Sequence, residues 1–301
     1  MAGLRYYDTT LDWFHLEVVR GCQLRCVGCP NSTINPHIEF APIERIEAIM
    51  RNVDRVRRVL NLRLYNYGEP LLHPQLPEIL GLTQQQRWRP DTIEISTNAQ
   101  CSNWEAIARA LETKLISRLY VSCDGDGTPE DYERLRPPAK WSRLVRFLER
   151  VADMRDALHP EMTLITRSCV ETVESQWRWR DLSVPMGWRP EFRGFLLLPE
   201  SSLQKSGRQP QPDNGFCFWV ANRRNLFVDW DGEVLPCCAH PRAAELGNLT
   251  EKTLSQIVRV PDGARNQFFE DMLGRRAEMR VCGSCDVGPG ELALVRPLGE
   301  L

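Results

Sequence analysis

Three cysteines lie close together near the start of the chain, at Cys22, Cys26 and Cys29. They follow an apolar run over residues 14–19 that predicts a strand, so we expect them on the loop leaving a strand end. Three thiolates can hold one soft metal centre and leave a position open for a ligand that is not protein. A zinc site would need a fourth ligand, and the nearest, His37, lies across a Pro/Asn-rich segment. Because the count is odd and the spacings are short for disulfides, the pattern favours an iron–sulfur site.

A second set of four cysteines lies in the last third of the chain, at Cys217, Cys237, Cys282 and Cys285. Four thiolates can close a metal site with no open position, so a four-cysteine zinc site and an iron–sulfur cluster both fit this spacing. Cys238 adjoins Cys237 and could take its place as a ligand. The arrangement Gly232-x4-Cys237 favours Cys237.

Strand and helix patterns alternate between the two cysteine sets. The strands are predicted over residues 14–19, 61–65, 92–96, 118–122, 162–165 and 195–198, and the helices over residues 43–60, 74–84, 104–111 and 141–154, with another around Trp177. Such alternation predicts a parallel sheet with helices outside it. Six units are too few for a closed eight-fold barrel, so an open barrel fits, with ligands at the carboxyl ends of its strands.

The chain divides near residue 200. Residues 200–215 are rich in Ser, Gln and Pro and read as a linker, after which a hairpin is predicted over residues 225–235 with short helices near 251–258 and 265–273. We therefore expect an α/β protein: a partial (β/α)6, TIM-like barrel over residues 1–199 and a small C-terminal α+β domain over residues 200–301 that carries the second cysteine set.

Composition limits the classes of function. The 301 residues are 42% hydrophobic and 26% charged, with a net charge of −2, so nothing indicates bulk nucleic-acid binding. No apolar stretch is long enough for a signal peptide core or a membrane span. Eleven cysteines in such a chain indicate metal or redox chemistry in a reducing cytosol.

The pattern Cys22-x3-Cys26-x2-Cys29 resembles the signature of the radical S-adenosylmethionine (SAM) enzymes. The resemblance implies a [4Fe–4S] cluster on these three thiolates, whose fourth iron binds the amino and carboxylate groups of SAM. One-electron reduction, by a partner such as a flavodoxin or ferredoxin, would cleave SAM to a 5′-deoxyadenosyl radical that abstracts hydrogen from a substrate.

The C-terminal set, including Gly-x4-Cys and the distant Cys282-x2-Cys285, is similar to the Twitch domain, a shortened SPASM domain. This resemblance implies one auxiliary [4Fe–4S] cluster on Cys217, Cys237, Cys282 and Cys285. Because no cysteine follows Cys285, we expect two clusters in the chain rather than three.

Residues Gly68 and Glu69 resemble the end of the family's Gly-Gly-Glu motif, which recognises the SAM amino group, with Tyr67 in place of the first glycine. A carboxylate paired with an ammonium group gives a charge-assisted hydrogen bond. Ser96 and Asn98 resemble the strand end that contacts the SAM ribose in relatives.

Ser122 and Asp124 lie at the next predicted strand end, where similar enzymes carry SAM or substrate contacts. Arg136 resembles the family's arginine that pairs with the SAM carboxylate, and Arg134 is the alternative.

The substrate is the least determined feature, because one fold hosts many reactions. The compact chain and single auxiliary cluster resemble an aminocyclitol dehydrogenase of antibiotic biosynthesis, which implies a small-molecule oxidoreductase or epimerase. Epimerisation needs a hydrogen donor, for which Cys123, Cys169 and Cys238 are candidates, the first two expected at the barrel mouth. The alternatives are a peptide maturase with a separate leader-binding partner and a non-catalytic electron carrier, and the oligomeric state stays open.

Overall fold

The computed structural model describes residues 9–34, 37–194, 217–221, 224–285 and 287. Within these residues the strands are Thr10–Leu16 (β1), Val19–Arg20 (β2), Glu39–Phe40 (β3), Arg58–Arg63 (β4), Pro90–Thr97 (β5), Arg118–Asp124 (β6), Thr163–Cys169 (β7), Arg189–Arg193 (β8), Asn225–Val228 (β9) and Val234–Leu235 (β10). The α-helices are Asn31–Ile34 (α1), Ile43–Asn52 (α2), Leu76–Thr83 (α3), Trp104–Glu112 (α4), Pro129–Leu135 (α5), Trp141–Leu158 (α6), Val173–Ser183 (α7), Phe218–Ala221 (α8), Leu254–Arg259 (α9) and Ala264–Gly274 (α10).

Eight of the strands form one sheet in the order β10-β9-β1-β4-β5-β6-β7-β8. The six strands β1 and β4 to β8 pair in parallel, each with the next. Helices connect them, as a parallel arrangement requires. This confirms the predicted α/β class and the partial barrel of six strand–helix units, with the carboxyl ends of its strands at one edge.

Apolar faces and end caps explain why the connecting helices form where they do. Helix α2 buries Ile46, Ile49 and Met50 against the sheet, at the spacing of one helical face. Asn103 caps the start of helix α4, because its side chain accepts a hydrogen bond from the Ala106 N–H group at 3.2 Å. Such caps satisfy N–H groups that have no partner inside the helix.

Several boundaries differ from the prediction. Helix α2 ends at residue 52 rather than 60, because residues 58–63 pair with β1 as strand β4. The outer parallel strand is Arg189–Arg193, which pairs with β7, and the apolar run at residues 195–198 lies outside the described residues, as does the predicted linker at 200–215. Helix α5 was not predicted.

The C-terminal hairpin is present as predicted, with β9 antiparallel to β10. Strand β9 also pairs in parallel with β1, so the C-terminal segment continues the barrel sheet beyond its first strand. The pattern of apolar residues predicted the hairpin and could not predict this pairing. No helix in the described part of the chain is long and apolar enough to cross a membrane.

Candidate functional site

The loop that carries the first three cysteines is hydrogen-bonded to the end of α5 and to the segment that follows it. The backbone N–H of Arg25 donates to the carbonyl oxygen of Pro137 at 2.6 Å, and that of Val27 donates to Leu135 at 2.7 Å. Both bonds flank Cys26, so the thiol loop has a defined position over the barrel edge.

A cavity of roughly 400 Å³ lies beneath this loop, at the carboxyl edge of the parallel strands. Its wall includes the three thiols of the loop and all the residues predicted as SAM contacts, which are Gly68, Glu69, Ser96, Asn98, Ser122, Asp124 and Arg136. Parallel strands bring these residues together because their carboxyl ends share one edge of the sheet.

Glu69 is held in place by two backbone N–H groups. Its Oε1 accepts from Leu71 at 3.1 Å and its Oε2 accepts from Asn98 at 2.7 Å. Burial raises the pKa of this carboxyl to about 7. The side chain of Asn98 donates to the Sγ of Cys22 at 3.2 Å, so carboxylate, amide and thiol form one connected group.

The loop before Glu69 is tightly packed. A Cβ added to Gly68 would lie 1.8 Å from the carbonyl oxygen of Val19, so this position accepts no side chain without movement of the backbone. The buried carboxyl of Glu17 accepts from the N–H groups of Tyr67 and Gly68, and burial raises its pKa to about 8.

Arg136 and Asp124 form a largely buried ion pair on the cavity wall. The second oxygen of Asp124 accepts from the N–H group of Cys169 at 3.1 Å. Arg134, the alternative candidate, pairs instead with Asp131 and is mostly exposed. Of the two arginines, only Arg136 lines the cavity.

Three residues of the cavity wall were found only from the structure. Tyr65 and Asn66 line the wall beside the Glu69 loop, and Arg193 lines it from β8, next to Arg167 on the neighbouring strand. Ser96 and Ser122 face one another, with their Oγ atoms 3.5 Å apart.

The three candidate hydrogen donors have different surroundings. Cys169 lines the cavity, as expected. Cys123 is fully buried in the apolar core and is not part of the cavity wall, which corrects its expected position at the barrel mouth. Its neighbours Ser122 and Asp124 face the cavity, and alternate strand residues point to opposite faces. Cys238 is partly buried and lines neither this cavity nor the one described next.

The four C-terminal cysteines line a second, small cavity. Cys237 is part of this wall and Cys238 is not, which agrees with the ligand favoured by the sequence. The buried guanidinium group of Arg276 donates to the carbonyl oxygens of Cys285 at 3.1 Å and Cys282 at 3.3 Å, and so holds their turn in place. His240 also lines this cavity, away from the barrel mouth.

The profile of the Radical SAM superfamily matches residues 16–166, which is half of the chain. The chain belongs to the radical SAM superfamily. The profile of the SPASM iron–sulfur cluster-binding domain matches residues 217–286. Together the two domains imply [4Fe–4S] clusters and SAM as the cofactors of this radical SAM enzyme.

Solved structures share its fold at low sequence identity. BtrN in complex with AdoMet and 2-DOIA is 18% identical, with 93% of this chain and 96% of that chain covered at a TM-score of 0.58. Streptococcus suis SuiB bound to precursor peptide SuiA is 14% identical, with 93% of this chain and 70% of that chain covered at a TM-score of 0.65. The protein anSMEcpe with bound AdoMet and Cp18Cys peptide is 15% identical, with 94% of this chain and 92% of that chain covered at a TM-score of 0.58. No curated protein matches the radical SAM chain in sequence.

Both donor sets consist of cysteine thiols, the ligands that hold iron–sulfur clusters in proteins. In the residues that the structure describes, no group of three His, Cys, Asp or Glu side chains could hold a single metal ion. Burial raises the pKa of Cys22 to about 12 and of Cys26 to about 11. A cluster would bind these residues as thiolates.

Proposed function

We propose that this radical SAM enzyme abstracts a hydrogen atom from a carbinol carbon of a small sugar, aminocyclitol or nucleotide-linked sugar. The reaction would be a dehydrogenation or an epimerisation in natural-product biosynthesis. The observation that carries the proposal is the single cavity in which the three loop thiols meet Glu69, Asn98 and Arg136. Its volume of roughly 400 Å³ lies in the range of small-molecule sites.

We assign residues of this cavity to the first cluster and to the amino, carboxylate and ribose groups of SAM. Cys22, Cys26 and Cys29 would hold the first cluster, and Glu69 would accept hydrogen bonds from the SAM ammonium group. Arg136 would pair with the SAM carboxylate. Ser96 and Asn98 would contact the ribose. Ser122 and Asp124, at the next strand end, would contact SAM or the substrate. When bound, cluster and SAM would supply the 5′-deoxyadenosyl radical, after one-electron reduction by a flavodoxin or ferredoxin.

The C-terminal unit would be a Twitch-type form of the SPASM domain with one auxiliary [4Fe–4S] cluster on Cys217, Cys237, Cys282 and Cys285. The four thiols line one cavity. The Arg276 guanidinium group fixes the backbone of two of them. This preorganisation supports a closed four-thiolate site, without an open position for a substrate.

If the reaction is an epimerisation, Cys169 is the best placed hydrogen donor. Apart from the cysteine loop, it is the one thiol among the described residues that lines the cavity. Burial and the neighbouring Asp124 carboxylate raise its pKa well above the usual range. The sulfur therefore keeps the hydrogen that a donor must transfer. Cys238 is the second choice, and Cys123 is not placed to act.

Anaerobic mass spectrometry in deuterated water tests the reaction. Reconstituted enzyme, SAM and a reductant are incubated with sugars, aminocyclitols and nucleotide sugars, and 5′-deoxyadenosine is measured with the substrate masses. A product two mass units lighter than the substrate indicates dehydrogenation. A product that differs from the substrate only by one deuterium on carbon indicates epimerisation. Absence of 5′-deoxyadenosine under every condition would contradict the proposal.

A pair of cysteine variants tests the donor. Cys169→Ala should abolish deuterium incorporation while SAM cleavage continues. Cys101→Ala is the matched control, because this buried thiol lies outside the cavity and contacts the Leu71 carbonyl oxygen at 3.4 Å. Equal deuterium incorporation by both variants would exclude Cys169.

Peptide modification is the alternative. It is supported by the likeness to SuiB with its precursor peptide, at a TM-score of 0.65, and to anSMEcpe with a bound peptide. A maturase of this kind would act with a separate leader-binding partner. If peptides alone stimulate SAM cleavage in the same assay, the small-molecule proposal is wrong.

A further inference from the structure

Two arginines stand side by side on one wall of the cavity. Arg167 lies on β7 opposite Glu191, and Arg193 lies on β8 opposite Cys169, so the two guanidinium-bearing residues are diagonal neighbours on the inward face. Both line the cavity that holds the proposed SAM contacts. Neither has a role in the SAM site as proposed above.

The positive charge on this wall is only partly balanced. Arg167 pairs with Glu191 at 3.0 Å, and Glu191 is also bound by Arg189 at 3.1 Å. Arg193 forms no salt bridge with any described residue, and its buried Nε atom has no hydrogen-bond partner there. Among the described residues, Glu191 therefore pairs with two guanidinium groups, and Arg193 is left without a salt bridge.

The positive charges near Arg193 repel one another. Burial and the positive charge of Arg167 lower the pKa of Arg193; the Glu191 carboxylate offsets part of this effect, and Arg63 adds to the lowering. The guanidinium carbon of Arg167 lies 4.0 Å from the centre of the Tyr120 ring, which fixes its position. An anion placed between Arg167 and Arg193 would relieve the repulsion.

Unsatisfied polar groups line the same cavity. The hydroxyl group of Tyr65 and both amide atoms of Asn66 are buried and have no hydrogen-bond partner among the described residues. Buried polar groups are nearly always hydrogen-bonded in folded proteins. A polar ligand rich in acceptor oxygens would satisfy the hydroxyl, the amide N–H groups and the free guanidinium together.

We propose that the substrate carries a phosphate or carboxylate group that binds between Arg167 and Arg193. The planar guanidinium group matches both anions in a two-point contact. This inference rests on the proposed function and narrows it, because a cationic amine would be repelled from this wall. Sugar phosphates, nucleotide-linked sugars and sugar acids fit better than an aminocyclitol whose ammonium group faces the arginines.

Four probes on one sugar scaffold test the proposal: glucose 6-phosphate, glucuronate, glucose and glucosamine. Binding to the reconstituted, SAM-loaded enzyme is measured anaerobically by titration calorimetry at one fixed sodium chloride concentration, because salt screens charge. At least one anionic probe should bind about tenfold or more tightly than glucose, and glucosamine should bind no better than glucose. The stronger of the two anions identifies phosphate or carboxylate as the group.

Single-residue variants test whether Arg167 and Arg193 cause the preference for anionic probes. Arg193→Gln and Arg167→Gln should each remove most of the preference for the anion. Arg189→Gln should retain it, because Arg189 contacts the same Glu191 but is mostly exposed and lies outside the cavity. Equal binding of glucose and both anions, tighter binding of glucosamine, no saturable anion binding, or an unchanged preference in Arg193→Gln would overturn the proposal. Formation of 5′-deoxyadenosine by the wild type is measured separately, so failure of the radical chemistry is distinguished from failure of anion binding.

Discussion

The hydroxyl group of Tyr67 donates a hydrogen bond of 3.3 Å to the carbonyl oxygen of Cys237. Tyr67 lines the barrel cavity beside Glu69. Cys237 lines the C-terminal cavity. One side chain therefore joins the proposed SAM site directly to the backbone of the second cysteine set.

Loss of this hydroxyl group should weaken the junction between the two sites. Tyr67→Phe should lower the free energy of unfolding by about 1 kcal/mol, the usual contribution of one hydrogen bond. Tyr65→Phe is the control, because the Tyr65 hydroxyl has no partner among the described residues and its loss should cost close to nothing. Chemical denaturation followed by circular dichroism measures both. A larger loss for Tyr65→Phe would contradict the assignment.

Neighbouring cysteines should differ in iron content. Cys237→Ser should reduce the iron of the reconstituted chain from about eight atoms to about four, because each four-iron cluster needs its thiolates. Cys238→Ser should keep all of it, since Cys238 lies outside the C-terminal cavity. Iron analysis of both anaerobic proteins tests this, and the reverse result would make Cys238 the ligand.

Two nearby arginines should differ in importance for SAM. Arg136→Gln leaves Asp124 without its partner on the cavity wall and should cost about 3 kcal/mol of stability or more. It should also weaken SAM binding about tenfold. Arg134→Gln breaks an exposed pair with Asp131 and should cost less than about 1 kcal/mol. Equilibrium dialysis with SAM and denaturation give the two readouts, and equal SAM affinities would remove Arg136 from the site.

Glu17 should make the fold less stable as pH rises. Its pKa is about 8 in the folded chain, against an ordinary value of 4.5. Between these values the folded chain holds a proton that the unfolded chain releases. Stability therefore falls with rising pH across this window, by up to about 1.4 kcal/mol per pH unit, and then levels off.

Glu17→Gln should remove that slope, so its stability relative to the wild type should increase from pH 5 to pH 8. The control is the exposed Glu133, whose pKa is lowered by its hydrogen bond with Lys140. Glu133 stabilises the fold while its carboxylate is ionised, and this stabilisation is lost only as pH falls below the ordinary pKa of a glutamate. The difference in the free energy of unfolding between Glu133→Gln and the wild type should therefore stay constant from pH 5 to pH 8. Parallel profiles for both variants would contradict the role of Glu17.

The sequence was sufficient to predict the partial barrel and the grouping of most site residues. Cysteine spacing placed the loop, and the rule that parallel strands share a carboxyl edge placed Glu69, Asn98 and Asp124 at one cavity. The outward position of Cys123 also follows from strand alternation, once Ser122 and Asp124 face inward.

The outer strand and the C-terminal pairing required the structure. The apolar run at residues 195–198 was the stronger strand signal, whereas Arg189–Arg193 is a polar strand that is only partly buried, with Arg193 on the cavity wall. Arg193 was missed for that reason. The pairing of β9 with β1 joins residues more than two hundred positions apart, and no local pattern encodes such a partner.

That pairing also determines when the barrel can be completed during synthesis. Strand β1 is translated more than two hundred residues before its neighbour on one side, β9, at Asn225–Val228. Until then the nascent chain presents an open strand edge beside the cysteine loop, where another chain could pair. We therefore expect this strand edge to be fully protected from aggregation only after β9 has been translated.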